Sequence, residues 1–430
     1  MKMSPYVLSQ KCDDGIVYFN TKNNHSFLMT NQLLEKLKTD AETREQYKAY
    51  LEQFHYFPED DEVNQSLRKI GKIDATLLEF TILTHGDCNF RCKYCYEKFE
   101  NISMSRETED AILKFAEEKL STGTYKLFKV SWFGGEPLLG YRTIQYLSKK
   151  FQDICNDYNV QFSANITTNG YLLSFRKFKH LVEDCKIRGY QITIDGNQES
   201  HDCQRILRNN SGTYSRIYEN LKAIKDSDLD FFCTIRFNIS KENVENVKSF
   251  LYKDGLYFRD DQRFGFSYHN VGDWGQGDRS EKDCVTLLNY DASFELSTLA
   301  TSIGYRVTLV SYFLNNRFTC YANRMNHYMF NVKGIVQSCT VALYHPKNVF
   351  GNINKGFINH DKLRQWVIEV EESCKSCPLV LVCKSGHCPM AKRISKHSSE
   401  LLCRSMQKIM NRNLALFALT KSYHDILDVG

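Results

Sequence analysis

The sequence predicts an α/β fold: a parallel sheet with helices outside it, a small hairpin-and-helix module ahead of it and a cysteine-rich segment behind. Three observations predict this. From residue 76 to about 310, apolar runs of strand length alternate with segments whose apolar residues recur at helical spacing, and repeated βα units require parallel strands joined by right-handed crossovers. The 430 residues provide enough chain for two or three domains. Ten of the sixteen cysteines fall in two clusters, near residue 90 and between residues 320 and 403. The second cluster begins where the βα alternation ends, so the expected boundaries are 1–75, 76–310 and 311–430.

In the first segment, residues 15–19 and 26–29 flank the polar stretch Asn20 to His25 and read as a β-hairpin. Leu33, Leu34 and Leu37, then Tyr47, Leu51 and Phe54, recur at helical spacing in the charged chain that follows. Such a module can cap the end of a larger domain, or bind a peptide by strand addition to the hairpin edge.

The α/β segment opens with a strand over 77–83. A helix over 110–120 follows, with Ala111, Ile112, Phe115, Ala116 and Leu120 on one face. Further strands are expected over 127–133, 160–166, 190–194, 231–237 and 264–269. Helices are expected over 144–154, 175–182, 214–224, 242–252 and 284–300. In a parallel barrel the active groups sit at the C-terminal ends of the strands, and the loops at those ends are rich in chemistry. Gly134-Gly135-Glu136-Pro137 follows the second strand: two glycines permit close backbone approach to a ligand, and the Glu136 carboxylate can meet an ammonium group. Thr167-Thr168-Asn169-Gly170 ends the third strand. Thr193-Ile194-Asp195-Gly196 ends the fourth, with His201, Asp202 and Arg205 shortly after. A loop salt bridge is the bland reading of Asp202 and Arg205.

After the first strand comes Cys88-Asn89-Phe90-Arg91-Cys92-Lys93-Tyr94-Cys95. Three thiolates in one short loop suit an iron–sulfur cluster, copper(I) or zinc, and a four-iron cubane held by three sulfurs keeps one iron open. A zinc knuckle is the alternative. CxxxCxxC with an aromatic residue before its last cysteine, one strand ahead of GGEP, resembles the radical S-adenosylmethionine (SAM) superfamily. The resemblance implies a partial (β/α)6 barrel in which Cys88, Cys92 and Cys95 hold a [4Fe–4S] cluster whose open iron chelates SAM. It further implies that Gly134, Gly135 and Glu136 hold the SAM amino group, that Thr193 and Arg205 contact its carboxylate, that Tyr94 lies against adenine, and that Asn169 belongs to the same pocket. Members usually carry serine at the position of Thr193; threonine keeps the hydroxyl.

The second cluster reads Cys320-x18-Cys339, then Cys374-x2-Cys377-x5-Cys383-x4-Cys388, then Cys403. Seven cysteines exceed one zinc site and fall one short of two filled four-thiolate sites; a zinc ribbon is the alternative. The pattern resembles the SPASM domain, with one extra residue between Cys383 and Cys388. That resemblance implies two auxiliary [4Fe–4S] clusters, making three in all: Cys374, Cys377, Cys383 and Cys403 on one, Cys320, Cys339 and Cys388 on the other. The latter set lacks a fourth cysteine, and Asn326, His327, a distant side chain or a substrate thiolate could complete it. Around these ligands a hairpin with a glycine turn is expected over 328–337 and a closing helix from Ser399.

The function so implied is modification of a ribosomally made, cysteine-containing precursor peptide, with a thioether crosslink as the leading chemistry. Formylglycine formation in the manner of anaerobic sulfatase maturases and carbon–carbon or carbon–oxygen crosslinking are the enzymatic alternatives; an electron-transfer or sensor protein is the non-enzymatic one. Sulfatase maturases place an aspartate base before their auxiliary ligands, and residues 305–318 contain no acid. The implied partners are a precursor with a leader sequence, read by the N-terminal module, and a reductant such as flavodoxin or ferredoxin. Composition is ordinary for a soluble globular protein, with 42% hydrophobic and 25% charged residues. A net charge of +5 is too mild to argue for nucleic acid, and no apolar stretch approaches a membrane span. With no export signal at its start, the chain is expected in the cytoplasm, where cysteines read as metal ligands rather than disulfides. The six scattered cysteines read as small buried hydrophobes.

Overall fold

The computed structural model describes residues 2–272, 291–308, 320–384, 388–396 and 398–429, which divide into two compact units. The smaller takes the described residues of 1–74, 308–320 and 368–430, and the larger those of 75–307 and 321–367.

In the smaller unit, strands β1 (Val7–Cys12), β2 (Gly15–Asn20) and β3 (Ser26–Thr30) form an antiparallel meander. The expected hairpin is β2–β3. Thr30 closes β3 and starts helix Asn31–Thr39, its hydroxyl accepting from the Leu33 N–H at 3.3 Å, and Asp40 caps helix Ala41–Gln53 in the same way. Phe27, Met29, Leu33, Leu51 and Tyr56 form the core together with Leu427 from the far end of the chain. That residue lies on a three-residue strand, Asp425–Leu427, paired parallel to β3 with Ile426 opposite Leu28. Strand β1 went unread because polar residues interrupt its apolar pattern, whereas helix Glu62–Ala75 was missed although Val63, Leu67, Ile70 and Ile73 recur at helical spacing.

The larger unit carries a ten-stranded sheet. Its centre is six parallel neighbours in chain order: β4 (Leu77–Leu83), β5 (Leu127–Phe133), β6 (Gln161–Thr168), β7 (Ile187–Thr193), β8 (Phe232–Ile239) and β9 (Phe264–Asn270). Helices Arg106–Leu120, Tyr141–Asp157, Phe175–Glu183, Tyr214–Lys225 and Val244–Tyr252 make the crossovers. This is the parallel sheet with outer helices that the alternation predicts, and the partial (β/α)6 barrel that the resemblance implies. On the far side of β4 the sheet continues through β10 (His327–Phe330), β11 (Ile335–Gln337), β12 (Gly351–Asn352) and β13 (Phe357–Ile358). The glycine-turn hairpin is β10–β11, with Gly334 at φ 73°, and β10 also pairs parallel to β4. The helix expected over 284–300 is described only as Ala292–Ser302; its earlier residues lie outside the described ones.

Alternation along the strands tells the two faces apart. Phe128, Val130 and Trp132 have no exposed surface and lie under the helices, where Phe80 meets Phe115, Phe128 and Phe330 ring to ring at 5.8, 4.9 and 5.0 Å. The opposite face carries Thr81, Ser131, Asn165, Gln191, Thr234 and Arg236. A parallel strand packed on both faces would be apolar throughout; this polar lining marks an interior built to receive something.

Candidate functional site

The residues between β4 and helix Arg106–Leu120 include the first cysteine cluster, and backbone bonds stitch that loop to the chain after β7. Arg91 N–H donates to the Ile206 carbonyl at 2.8 Å, Lys93 N–H to that of Gln204 at 3.0 Å, and Phe90 bridges to Leu207. Asp87, almost fully buried, is the side-chain anchor. Its carboxylate accepts from the Cys88 N–H at 2.7 Å, from Arg91 at 3.1 Å and from Arg208, and both guanidinium groups also donate to the Cys88 carbonyl. Sequence reasoning missed Asp87 and Arg208.

The Gly-Gly-Glu-Pro turn rests on this loop. A Cβ at Gly135 would meet the Asp87 carbonyl oxygen at 2.8 Å and the Cys88 Cβ at 3.0 Å, so only glycine allows the approach, and Gly134 holds φ at 116°. Glu136 N–H donates to the Asp87 carbonyl. The Glu136 side chain has no exposed surface; its Oε1 accepts from Leu138 N–H at 2.9 Å and Thr168 Oγ1 at 2.7 Å, and its Oε2 from Asn169 N–H at 2.8 Å. Burial raises its pKa, and these three bonds oppose the rise. A carboxylate offers about four acceptor positions, so one position on Oε2 stays open for an ammonium donor. Asn169 links the turn to the cysteines, its Nδ2 donating to Asn89 Oδ1 at 2.8 Å and lying 3.7 Å from the Cys88 sulfur.

Tyr94, Asp195, Arg205 and Asn238 make a second constellation at the strand ends. The Tyr94 hydroxyl donates to Asp195 and accepts from Arg205 Nη1 at 2.7 Å and Asn238 Nδ2 at 3.0 Å. Asp195, fully buried, also accepts from Asn238 N–H at 2.8 Å. Asp202 and Arg205 do not form the loop salt bridge considered above: Asp202 accepts from the Thr213 and Tyr214 N–H groups at 2.7 and 2.8 Å instead. Arg205 is 6% exposed, and its Nε is a buried donor without a partner, a group that an incoming acceptor could satisfy. His201 is buried; burial and then Arg205 hold its pKa well below the ordinary range, so it is neutral and structural, bonded to Asp195 N–H and Thr213. Thr193 lies buried at the end of β7.

Cys88 and Cys92 are buried and Cys95 partly so, on one short loop beside Glu136; burial first, then Cys92, Glu136 and Cys95 raise the Cys88 thiol. The donor set therefore fits a thiolate-held cluster with SAM beside it. Of the second cysteine group, Cys339 belongs to the larger unit, its N–H held by Asn348 Oδ1 at 2.9 Å. Cys320, Cys374, Cys377, Cys383, Cys388 and Cys403 belong to the smaller. Cys374, Cys377 and Cys383 share one tight segment, in which Cys377 N–H donates to the Cys374 carbonyl at 2.9 Å and Cys383 ends helix Val380–Cys383. Cys403 is exposed on helix Ser399–Thr420. Among the described residues, no three His, Cys, Asp or Glu side chains stand at the spacing of a single bound metal ion.

Residues 82–251 match the radical SAM superfamily. Over 380 residues, 77% of this chain and 93% of the relative, the sequence is 24% identical to the cysteine-type anaerobic sulfatase-maturating enzyme of Clostridium novyi (strain NT). Over 181 residues, 37% of this chain and 36% of the relative, it is 22% identical to the radical SAM cyclopropyl synthase TigE of Paramaledivibacter caminithermalis. Among solved structures, native anSMEcpe with bound AdoMet and the Kp18Cys peptide is similar at a TM-score of 0.58 and 18% identity, covering 80% of this chain and 99% of that one. Streptococcus suis SuiB bound to its precursor peptide SuiA is similar at 0.51 and 13%, covering 93% and 98%. At these identities the structures establish the shared fold.

Proposed function

Because the chain carries a radical SAM domain over residues 82–251, we propose that it is an enzyme that modifies a ribosomally made peptide, with Cys88, Cys92 and Cys95 holding the SAM-binding [4Fe–4S] cluster. The observation that carries this reading is the junction at Glu136, where one buried carboxylate with one open acceptor position joins the glycine turn, the cysteine loop and Asn169. When bound, the reduced cluster and SAM supply a carbon-centred radical that removes a hydrogen atom from the peptide. The chain's own residues bind and orient. Glu136 takes the SAM ammonium, Arg205 with Thr193 the SAM carboxylate, and Tyr94, fixed through its hydroxyl, presents its ring. Solved relatives of this fold with AdoMet, Kp18Cys or SuiA bound support a peptide substrate.

The finer reading is thioether formation. Two auxiliary clusters are assigned to Cys374, Cys377, Cys383 and Cys403 and to Cys320, Cys339 and Cys388, and the second set leaves a position for a cysteine sulfur of the peptide. The alternative, oxidation of a peptide cysteine to formylglycine, draws support from the likeness to the Clostridium novyi maturase along 93% of that enzyme. Mass spectrometry of a precursor coexpressed with the enzyme separates them. A thioether product is two hydrogens lighter per crosslink, resists thiol alkylation and needs the precursor's cysteines. A hydrazide-reactive aldehyde in place of one cysteine side chain would establish the alternative.

A further inference from the structure

Arg236 is the charged residue on the polar inner face of β8, and no SAM contact is assigned to it. It lies on β8 between Ile235 and Phe237, both without exposed surface; Phe237 packs against Phe250 of helix Val244–Tyr252, so Arg236 faces the opposite way, into the barrel. Its Cα neighbours in the sheet are Thr193 of β7 and Ser267 of β9. Its Nε donates to Asn238 Oδ1 at 3.0 Å; Nη1 and Nη2 have no acceptor among the described residues. The side chain is walled in by protein yet keeps accessible surface toward the interior. Burial lowers its pKa against the pull of Tyr96, Tyr94 and Asp195.

The neighbours leave the same capacity open. Ser267 Oγ is a buried hydroxyl without a partner. The His269 ring has none either, and burial and then Arg236 push its pKa down to about 3, so it is a neutral donor or acceptor. The nearby carboxylate is already engaged: Asp195 holds Tyr94 and Asn238. Arg205 and Arg236 are thus linked through Tyr94 and Asn238, and neither forms an ion pair among the described residues. An uncompensated buried cation is costly. SAM brings one carboxylate, which Arg205 takes, and Arg236 remains.

We propose that Arg236, flanked by Ser267 and His269, seats a carboxylate of the peptide substrate: an Asp or Glu side chain, or the peptide's terminal carboxylate. This rests on the peptide-modifying reading. A planar guanidinium whose terminal nitrogens have no acceptor among the described residues matches a carboxylate in bidentate fashion. The seat lies one residue pair from Thr193, so the peptide would be held beside the SAM carboxylate subsite.

The test incubates reconstituted holoenzyme and SAM with a library of cysteine-containing octapeptides, half with free and half with amidated C-termini, and sequences the retained peptides. Enrichment of acidic or free-terminus peptides by about tenfold or more is expected, as a charge-assisted bidentate pair gives. Which half is enriched tells a side chain from a chain terminus. Arg236→Gln should remove the preference and Arg236→Lys keep part of it. Retained peptides with no acid preference overturn the proposal alone, whereas a holoenzyme that retains no peptide overturns the peptide-modifying reading and this proposal with it. A loss of SAM affinity in Arg236→Gln equal to that in Arg205→Gln assigns Arg236 to the SAM carboxylate and overturns the proposal as well.

Discussion

Glu136 shows how far one side chain is committed before any ligand arrives. Both of its oxygens accept backbone N–H groups, so in Glu136→Gln the new amide must point its NH2 at either Leu138 or Asn169. The substitution should cost about 1 to 3 kcal/mol of stability and, by removing the charge, weaken SAM binding by roughly ten- to a hundredfold. Thermal unfolding and SAM titration on one sample measure both, and unchanged SAM affinity would reduce the turn to a structural element. Replacing Cys88, Cys92 and Cys95 together with alanine should abolish 5′-deoxyadenosine formation while iron held elsewhere is retained; a wild-type yield would sink the assignment. These residues stood out in the sequence because they fall in contiguous motifs. Asp87, Arg208 and Asn238 did not, because each acquires its role only when the cysteine loop meets the chain after β7 or the end of β8. Arg205 stood out in the sequence, yet its bond to Tyr94 could not be read there.

At the scale of the element, the contact between two loops decides whether the site forms. A methyl group at Gly135 must push the Asp87 carbonyl and the first cysteine aside, and the carbonyl cannot yield without loosening Asp87, Arg91 and Arg208. Gly135→Ala should therefore lower both iron loading and SAM cleavage, the latter by about tenfold or more if the cysteine loop shifts by even 1 Å. Iron per chain after reconstitution is the readout. Gly71→Ala makes the contrast, since a Cβ there meets nothing within 4 Å and the residue is exposed in helix Glu62–Ala75. It should stabilise the protein by up to about 1 kcal/mol; a destabilisation would show that the helix is not formed as described. Strands with a strong apolar face, such as β5, could be read from the sequence to the residue. β1 could not, because Ser9, Gln10 and Lys11 break its pattern, and strand Asp425–Leu427 is too short and too far from its partner for any local signal.

For the molecule as a whole, the joining of chain ends within the smaller unit matters most. The hairpin considered for peptide capture has the edge of β3 covered by Asp425–Leu427, and the covering is weakly held. Burying Leu427 contributes about 1.5 to 3 kcal/mol. The bonds from Tyr50 and His25 to Asp425, at 2.6 and 3.1 Å, add about 0.5 to 1.5 kcal/mol each. Bonds between Ser26 and His424 and from Thr30 and Tyr47 to Asp428 add a similar amount each, while ordering the backbone of residues 424–428 costs about 1 to 2 kcal/mol apiece, so the two sides nearly cancel. The sign of the pH effect follows from His25, whose ring faces Asp425, Tyr50, Tyr56 and His424. Burial and then His424 hold its pKa below the ordinary 6.5, against the pull of Asp425. A released state in which the ring regains solvent binds more protons, so the closed arrangement is then fully favoured above pH 6.5 and loses stability as pH falls through the lower folded value. Amide exchange, corrected for its intrinsic pH dependence, should show the Asp425–Leu427 ladder opening well before the β1–β2 ladder, and more readily at pH 5.5 than at 7.5. Equal protection of the two ladders at both pH values would mean that the C-terminal strand is a fixed part of the sheet and that β3 offers no edge to a peptide.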